Sequence, residues 1–233
     1  MISRYVTVAG IFIAMTGMAT AQVGKNPEGF TPIFDGKTTK GWHWSTTVHH
    51  GNTAKAMVDN GVLILKPFPF GQGGLFLTDK SYKDFELYVE SNPDPGYNSG
   101  LFLRSTEGGS AYQVELVRPG NTGAWLGEQI KLSPPEYIGP RVDINSVWKD
   151  GEWNSMRVRM EGEAPHVTLW INGTKMWELQ EPKNDQIGGV YGGQIGLQLH
   201  WSATYTEAAG GNGSGLPWSI QKFRNIAIKE LKK

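Results

Sequence analysis

Three stretches of this chain set polar side chains in strict alternation with apolar ones. Glu86, Tyr88 and Glu90 alternate with Phe85, Leu87 and Val89, and Gln113 and Glu115 with Tyr112, Val114 and Leu116. Gln194, Gln198 and His200 share the parity opposite Ile195, Leu197 and Leu199. Successive side chains of an extended strand point to opposite faces, so each run presents one polar and one apolar face. Arg104 ends the run Leu101-Phe102-Leu103, directly after Asn98-Ser99-Gly100. Gln, His, Arg and Glu are planar donors and acceptors suited to sugar hydroxyls, whereas an idle surface favours Lys, Thr and Ser. Together they point to a polar groove spread over several strands. Taken singly, each is as well explained by a solvated outer face.

Other chemistries can be removed one at a time. The absence of cysteine excludes a disulfide scaffold, thiolate metal sites and a thiol nucleophile. No G-x-S-x-G elbow, H-E-x-x-H helix, Walker loop or dinucleotide glycine motif occurs. His49 and His50, if adjacent on a strand, point to opposite faces, which speaks against a shared metal. Asn92, Asp94 and Asn98 offer oxygen ligands for calcium, but a Pro-Asp-Pro-Gly turn explains them equally well. Glu86 and Glu90 are similar to the same-strand glutamate pair of some retaining β-glucanases. Retention wants carboxyls about 5–5.5 Å apart, four strand residues span roughly 13 Å, and Tyr88 stands where those enzymes carry an Asp. A formal charge of +0, from 22 Lys and Arg against 22 Asp and Glu, argues against a nucleic-acid partner.

The elements that must position these residues are strands. Gly61–Leu65, Met156–Met160, His166–Ile171 and Ile226–Ile228 join the runs above, and Asn172-Gly173 between two alternating runs is a type I′ hairpin signal. With 31 glycines in 233 residues and no long amphipathic helix, the pattern predicts one all-β sandwich of ten to twelve strands. Long loops are expected over 120–143 and 202–217. Residues 1–21 read as a signal peptide, with Arg4, an uncharged stretch from Val6 to Met18 and Ala19-Thr20-Ala21, followed by a linker over 22–28 and the domain over 29–233. The expectation is export to the periplasm or beyond, with no membrane span after processing. Trp42, Trp44 and Trp125 are either stacking platforms or core, and core is the commoner fate.

The ordered set of short motifs resembles the 3-keto-disaccharide hydrolase domain family. Phe34-Asp35-Gly36-Lys37 with Gly41-Trp42 resembles its opening, and Asp84-Phe85-Glu86-Leu87 with Asn98-Ser99-Gly100-Leu101-Phe102-Leu103-Arg104 its centre. Tyr112-Gln113-Val114-Glu115 is similar to a family strand in which Gln and Glu are exchanged. Trp153-Asn154, Asn172-Gly173, Gly196-Leu197-Gln198-Leu199-His200 and Phe223-Arg224-Asn225-Ile226 follow in order.

That resemblance implies a concanavalin A-like jelly-roll β-sandwich of two antiparallel sheets, and cleavage of glycosides already oxidised to a ketone at C3. The ketone acidifies the C2 hydrogen, so a base, an enolate stabiliser and a donor to the leaving oxygen suffice. On this reading Glu115 or Glu90 is the base, Arg104 the oxyanion stabiliser, and His200 the acid or second base. Asn98, Gln113, Gln198, Glu86 and Arg224 would bind the carbohydrate. The resemblance leaves the cofactor open: a divalent cation in place of Arg104 would serve as Lewis acid. A non-catalytic sugar-binding module and an ordinary glycoside hydrolase are the alternatives.

Overall fold

The computed structural model describes residues 26–69, 71–117, 120–133, 139, 141–202 and 218–232. The expected signal peptide, part of the linker, part of the 120–143 loop and most of the 202–217 segment lie outside the described residues.

Fourteen strands form two antiparallel sheets among the described residues: β1 (Thr31–Pro32), β2 (Trp42–Trp44), β3 (Lys55–Asp59), β4 (Val62–Lys66), β5 (Gly74–Tyr82), β6 (Phe85–Ser91), β7 (Asn98–Ser105), β8 (Ala111–Val117), β9 (Trp125–Glu128), β10 (Asn154–Glu161), β11 (His166–Ile171), β12 (Thr174–Gln180), β13 (Gly193–Leu199) and β14 (Gln221–Glu230). The first sheet runs β12-β11-β10-β6-β14-β4-β3, with β1 added on β14; the second runs β2-β5-β13-β7-β8-β9. The count exceeds the ten to twelve expected because β1 and β2 are very short and β9 lies inside a stretch expected to be loop. The helical content among these residues is two single 3₁₀ turns, Ile144–Ser146 and Ile187–Gly189. No helix there is long and apolar enough to cross a membrane.

The alternation read from the sequence decides which side chains are buried. Phe85, Leu87 and Val89 from the first sheet meet Leu101, Leu103, Tyr112, Val114, Ile195 and Leu197 from the second in one core between the layers. Trp42 and Trp125 belong to that core, and Trp44 packs against it, its ring 5.0 Å from that of Phe76. At the β11–β12 turn Asn172 and Gly173 both have positive φ (49° and 80°), as a type I′ turn requires. The Asn172 side chain also donates to the Val147 carbonyl and to Asn154 Oδ1, each at 2.8 Å, tying the hairpin to the 3₁₀ segment.

A second, smaller apolar cluster lies on the opposite face of the β2–β9 sheet. Leu75 and Leu77 of β5, Phe102 of β7 and Ala111 of β8 are covered there by Val48, from the segment joining β2 to β3. That face is therefore floored by carbon yet also carries Gln113 and Glu115 of β8 and Gln198 of β13.

Candidate active site

Strand register places the polar residues in rows across this outer face. Gly196 of β13 is paired with Leu77 on one side and Phe102 on the other; Phe102 pairs with Gln113, and Gln113 with Leu126. The next row holds Leu75 opposite Gln198, and Gly100 opposite Glu115. Strands lie ~4.8 Å apart, so two spacings separate Gln198 from Glu115 by about 10 Å. The residue between them is a glycine for a reason: a Cβ on Gly100 would collide with the Gln113 side chain, which lies across it. The Asn98-Ser99-Gly100 motif thus makes a seat that the Gln113 side chain occupies. Ser99 faces inward and donates to the Gln198 carbonyl at 2.6 Å, locking β7 to β13.

His50 hangs over this seat from a turn in the β2–β3 segment and is 1% exposed. Its Nε2 lies 2.9 Å from the Gln198 amide nitrogen, and its ring centroid 4.8 Å from that of His200. His50 Nδ1, Gln198 Oε1 and Gln113 Oε1 are buried without a hydrogen-bond partner. Buried polar atoms are nearly always satisfied, so these three orphans call for a polar partner, a bound water or a ligand group. His200 Nδ1 is 2.6 Å from the Trp201 carbonyl, which can only accept; the proton therefore sits on Nδ1 and Nε2 keeps its lone pair.

The surroundings bring acid and base toward each other. Burial lowers the His200 pKa, against the pull of the Trp201 hydrogen bond, so the ring is held neutral. Burial, with the neighbouring histidines, drives His50 down to about 3. Burial raises Glu115, with the Glu128 charge adding to it against a hydrogen bond from Asn121. Burial raises Glu128 as well. The result is two imidazoles held below, and two carboxyls held above, their ordinary pKa on an apolar floor.

His49, His50 and Glu128 each offer a ligand atom, all within 4.8 Å of one another. Bonds near 2 Å hold neighbouring ligands within about 4 Å of each other, so closing the trio on one ion needs only a small contraction. The Gln198 amide nitrogen donates to His50 Nε2, which puts the ring proton on Nδ1. With that amide turned over, Nδ1 is free to ligate, and His49 and the half-buried Glu128 complete a set that fits a divalent cation. This overturns the strand argument against the histidine pair. His49 and His50 lie in a turn, not a strand, and their rings are 4.0 Å apart. Adjacent histidines were the visible signal; Glu128 had none. The calcium grouping is not assembled, because Asp94 is engaged by Lys222 at 2.7 Å and Asn92 by the Gly151 carbonyl.

Of the residues singled out in the sequence, Asn98, Gln113, Glu115, Gln198 and His200 come together here. The remaining four do not, which corrects the expectation of a single groove. Glu86, Glu90 and Arg224 lie on the outer face of the other sheet, and packed sheets are themselves about 10 Å apart. There Glu90 accepts from Arg224 Nε at 2.7 Å and from Tyr88 Oη and Asn225 Nδ2 at 2.9 Å, while Arg159 Nη1 donates to Glu86 at 2.8 Å. Parity predicts which side of a strand a residue faces, but both sheets have an outer side. Arg104 lies six residues along β7 from Asn98, about 20 Å away. It is 1% exposed, with Nε donating to the Lys83 carbonyl at 2.7 Å and its guanidinium 4.8 Å from the Tyr191 ring. Its positive φ of 52° breaks the strand's alternation at that point.

Known structures share this architecture. A glycosyl hydrolase candidate from Parabacteroides distasonis ATCC 8503 superposes with a TM-score of 0.57 at 20% identity, covering 88% of this chain and 95% of that one. The laminarinase catalytic domain of Thermotoga maritima MSB8 gives 0.57 at 11%, covering 91% and 99%. A galectin-like protein of unknown function from Bacillus subtilis gives 0.54 at 13%, covering 90% and 97%. At these identities the likeness is one of fold. No curated protein matches in sequence. Residues 29–229, nearly all of the domain, match the 3-keto-alpha-glucoside-1,2-lyase-like domain, so the chain belongs to that carbohydrate-active family.

Proposed function

We propose that this protein cleaves the glycosidic bond of glycosides bearing a ketone at C3, by elimination followed by hydration. The observation that carries the reading is the pairing of a neutral His200, its Nε2 lone pair fixed, with a Glu115 carboxyl whose pKa is raised on the same face. In the forward step His200 Nε2 takes the C2 proton. The electron pair left at C2, delocalised into the C3 carbonyl, forms the C1–C2 double bond as the C1–O bond breaks. The leaving oxygen keeps that bond's electrons and takes the proton held by Glu115. Water then adds at C1 and a proton returns to C2, giving the free 3-keto sugar. Gln113, Gln198 and Asn98 orient the ring through its hydroxyls, the first two with acceptors that have no other partner. A divalent cation held by His49, His50 and Glu128 would supply Lewis-acid stabilisation of the enolate oxygen. Relative to the sequence reading, His200 takes the role of base and Glu115 that of acid, while Glu90 and Arg104 drop out.

The test uses the purified domain with a 3-keto-glucoside and the unoxidised glucoside side by side, with and without chelator. Release of the aglycone from the ketone alone supports elimination, and loss of release with chelator supports the cation. Release from the unoxidised sugar would indicate ordinary glycosidase chemistry. Binding without release would make the protein a sugar-binding module.

A further inference from the structure

The segment that carries His49 and His50 has no regular secondary structure beyond an isolated bridge at Asn52, yet both rings must be held to fractions of an ångström if they are to act together. Its seat is the tip of the β7–β8 hairpin. Glu107 there accepts at three points. Its carbonyl takes the Ser45 hydroxyl at 2.6 Å, Oε1 takes the Thr46 N–H at 3.0 Å, and Oε2 takes His43 Nε2 at 3.0 Å. Ser45 passes the constraint forward, its Oγ accepting the N–H groups of Thr47 at 3.2 Å and Val48 at 3.0 Å. Two residues on, Gly109 has a φ of +84°, and a Cβ there would stand 2.8 Å from Val48 Cγ2, so only glycine lets the hairpin come this close. The same tip holds the far side as well: Gln129 Nε2 donates to the Gly108 carbonyl at 2.8 Å and lies 3.0 Å from His49 Nδ1.

We propose that Glu107 is the positioning residue of the site, seating Ser45–His50 on the β2–β9 sheet so that His50 meets Gln198 and His49 meets Glu128. The inference rests on the reading of these two histidines as site residues. Glu107 touches no reacting group; it acts through the backbone it holds. An exposed His–carboxylate pair alone is worth little, so the hydrogen bonds to the loop backbone carry the effect.

Hydrogen exchange, read peptide by peptide, tests this on the whole protein, with zinc alone titrated in parallel. Glu107→Ala should speed exchange over residues 45–50 by about tenfold, the equivalent of one or two lost hydrogen bonds. Zinc should bind correspondingly more weakly, and exchange in β10 should not change. Glu107→Gln keeps an acceptor for the Thr46 N–H and should restore most of the protection, a rescue that general damage to the fold would not show. If Glu107→Ala does not fold, Ser45→Ala removes the hydroxyl link by itself and should loosen the same peptide. Wild-type exchange over 45–50 in these variants would overturn the proposal. Faster exchange in a protein that binds no zinc would uphold the positioning role and remove the cation from the proposed function.

Discussion

His200 gives its Nδ1 proton to the carbonyl of Trp201, the next residue, at 2.6 Å. A contact between neighbours in sequence thereby fixes the tautomer, leaving Nε2 as the nitrogen with a lone pair. Imidazole serves as a base only through an unprotonated nitrogen, which is the state the proposed role of His200 requires.

The pH dependence follows from the directions of two shifts. His200 is lowered below its ordinary value near 6.5 and must be neutral to accept a proton; Glu115 is raised above its ordinary value near 4.5 and must be protonated to donate one. Turnover of a 3-keto-glycoside should therefore be bell-shaped, failing on the acid side as His200 is protonated and on the alkaline side as Glu115 ionises. Glu115→Gln should cut turnover by about 10²–10⁴-fold for a sugar leaving group, and much less for a nitrophenolate that needs no proton. Equal losses for the two leaving groups would remove Glu115 from the donor role.

Gly100→Ala should act on the seat itself. The added methyl collides with the Gln113 side chain, so Gln113 must leave its position or β7 must shift. The expected cost is about 1–3 kcal/mol, the range for overpacking. Urea denaturation gives the stability change, and KM should rise more than kcat falls if Gln113 only orients hydroxyls. An unchanged KM would show that Gln113 does not contact substrate.

Glu90→Gln separates the two outer faces. Glu90 is enclosed by Tyr88, Arg224 and Asn225 on the first sheet, and Gln cannot accept from all of them as a carboxylate does. Stability should fall by about 1–3 kcal/mol, with kcat/KM at moderate temperature unchanged. A loss of turnover in a variant that remains folded would return Glu90 to the site and refute the division drawn here.

Export is tested by the mass of the protein recovered outside the cytoplasm. Cleavage after Ala21 leaves Gln22 as the first residue, and intact-mass measurement distinguishes this from a retained leader. Recovery of the full 233-residue chain in the membrane fraction would replace the signal peptide with an anchor.

What the sequence determined by itself is whatever depends on short-range geometry. Period-two alternation separated core from outer face in β6, β8 and β13, because side chains on a strand have nowhere else to point. Asn172-Gly173 specified its hairpin because few other pairs tolerate positive φ at both positions. The groups Gln113 with Glu115 and Gln198 with His200 were legible as polar sets for the same reason. The pairing of sheets and the packing of loops belong to the tertiary structure. Alternation could not say that Glu90 and Glu115 face away from each other across two layers, since it assigns a side of a strand and not a side of the molecule. Nor could it place Arg104, whose positive φ turns it out of the alternation. His49, His50 and Glu128 meet only because the β2–β3 segment folds over the sheet onto the β7–β8 hairpin tip, a juxtaposition of residues about 60 to 80 positions apart that no local pattern encodes.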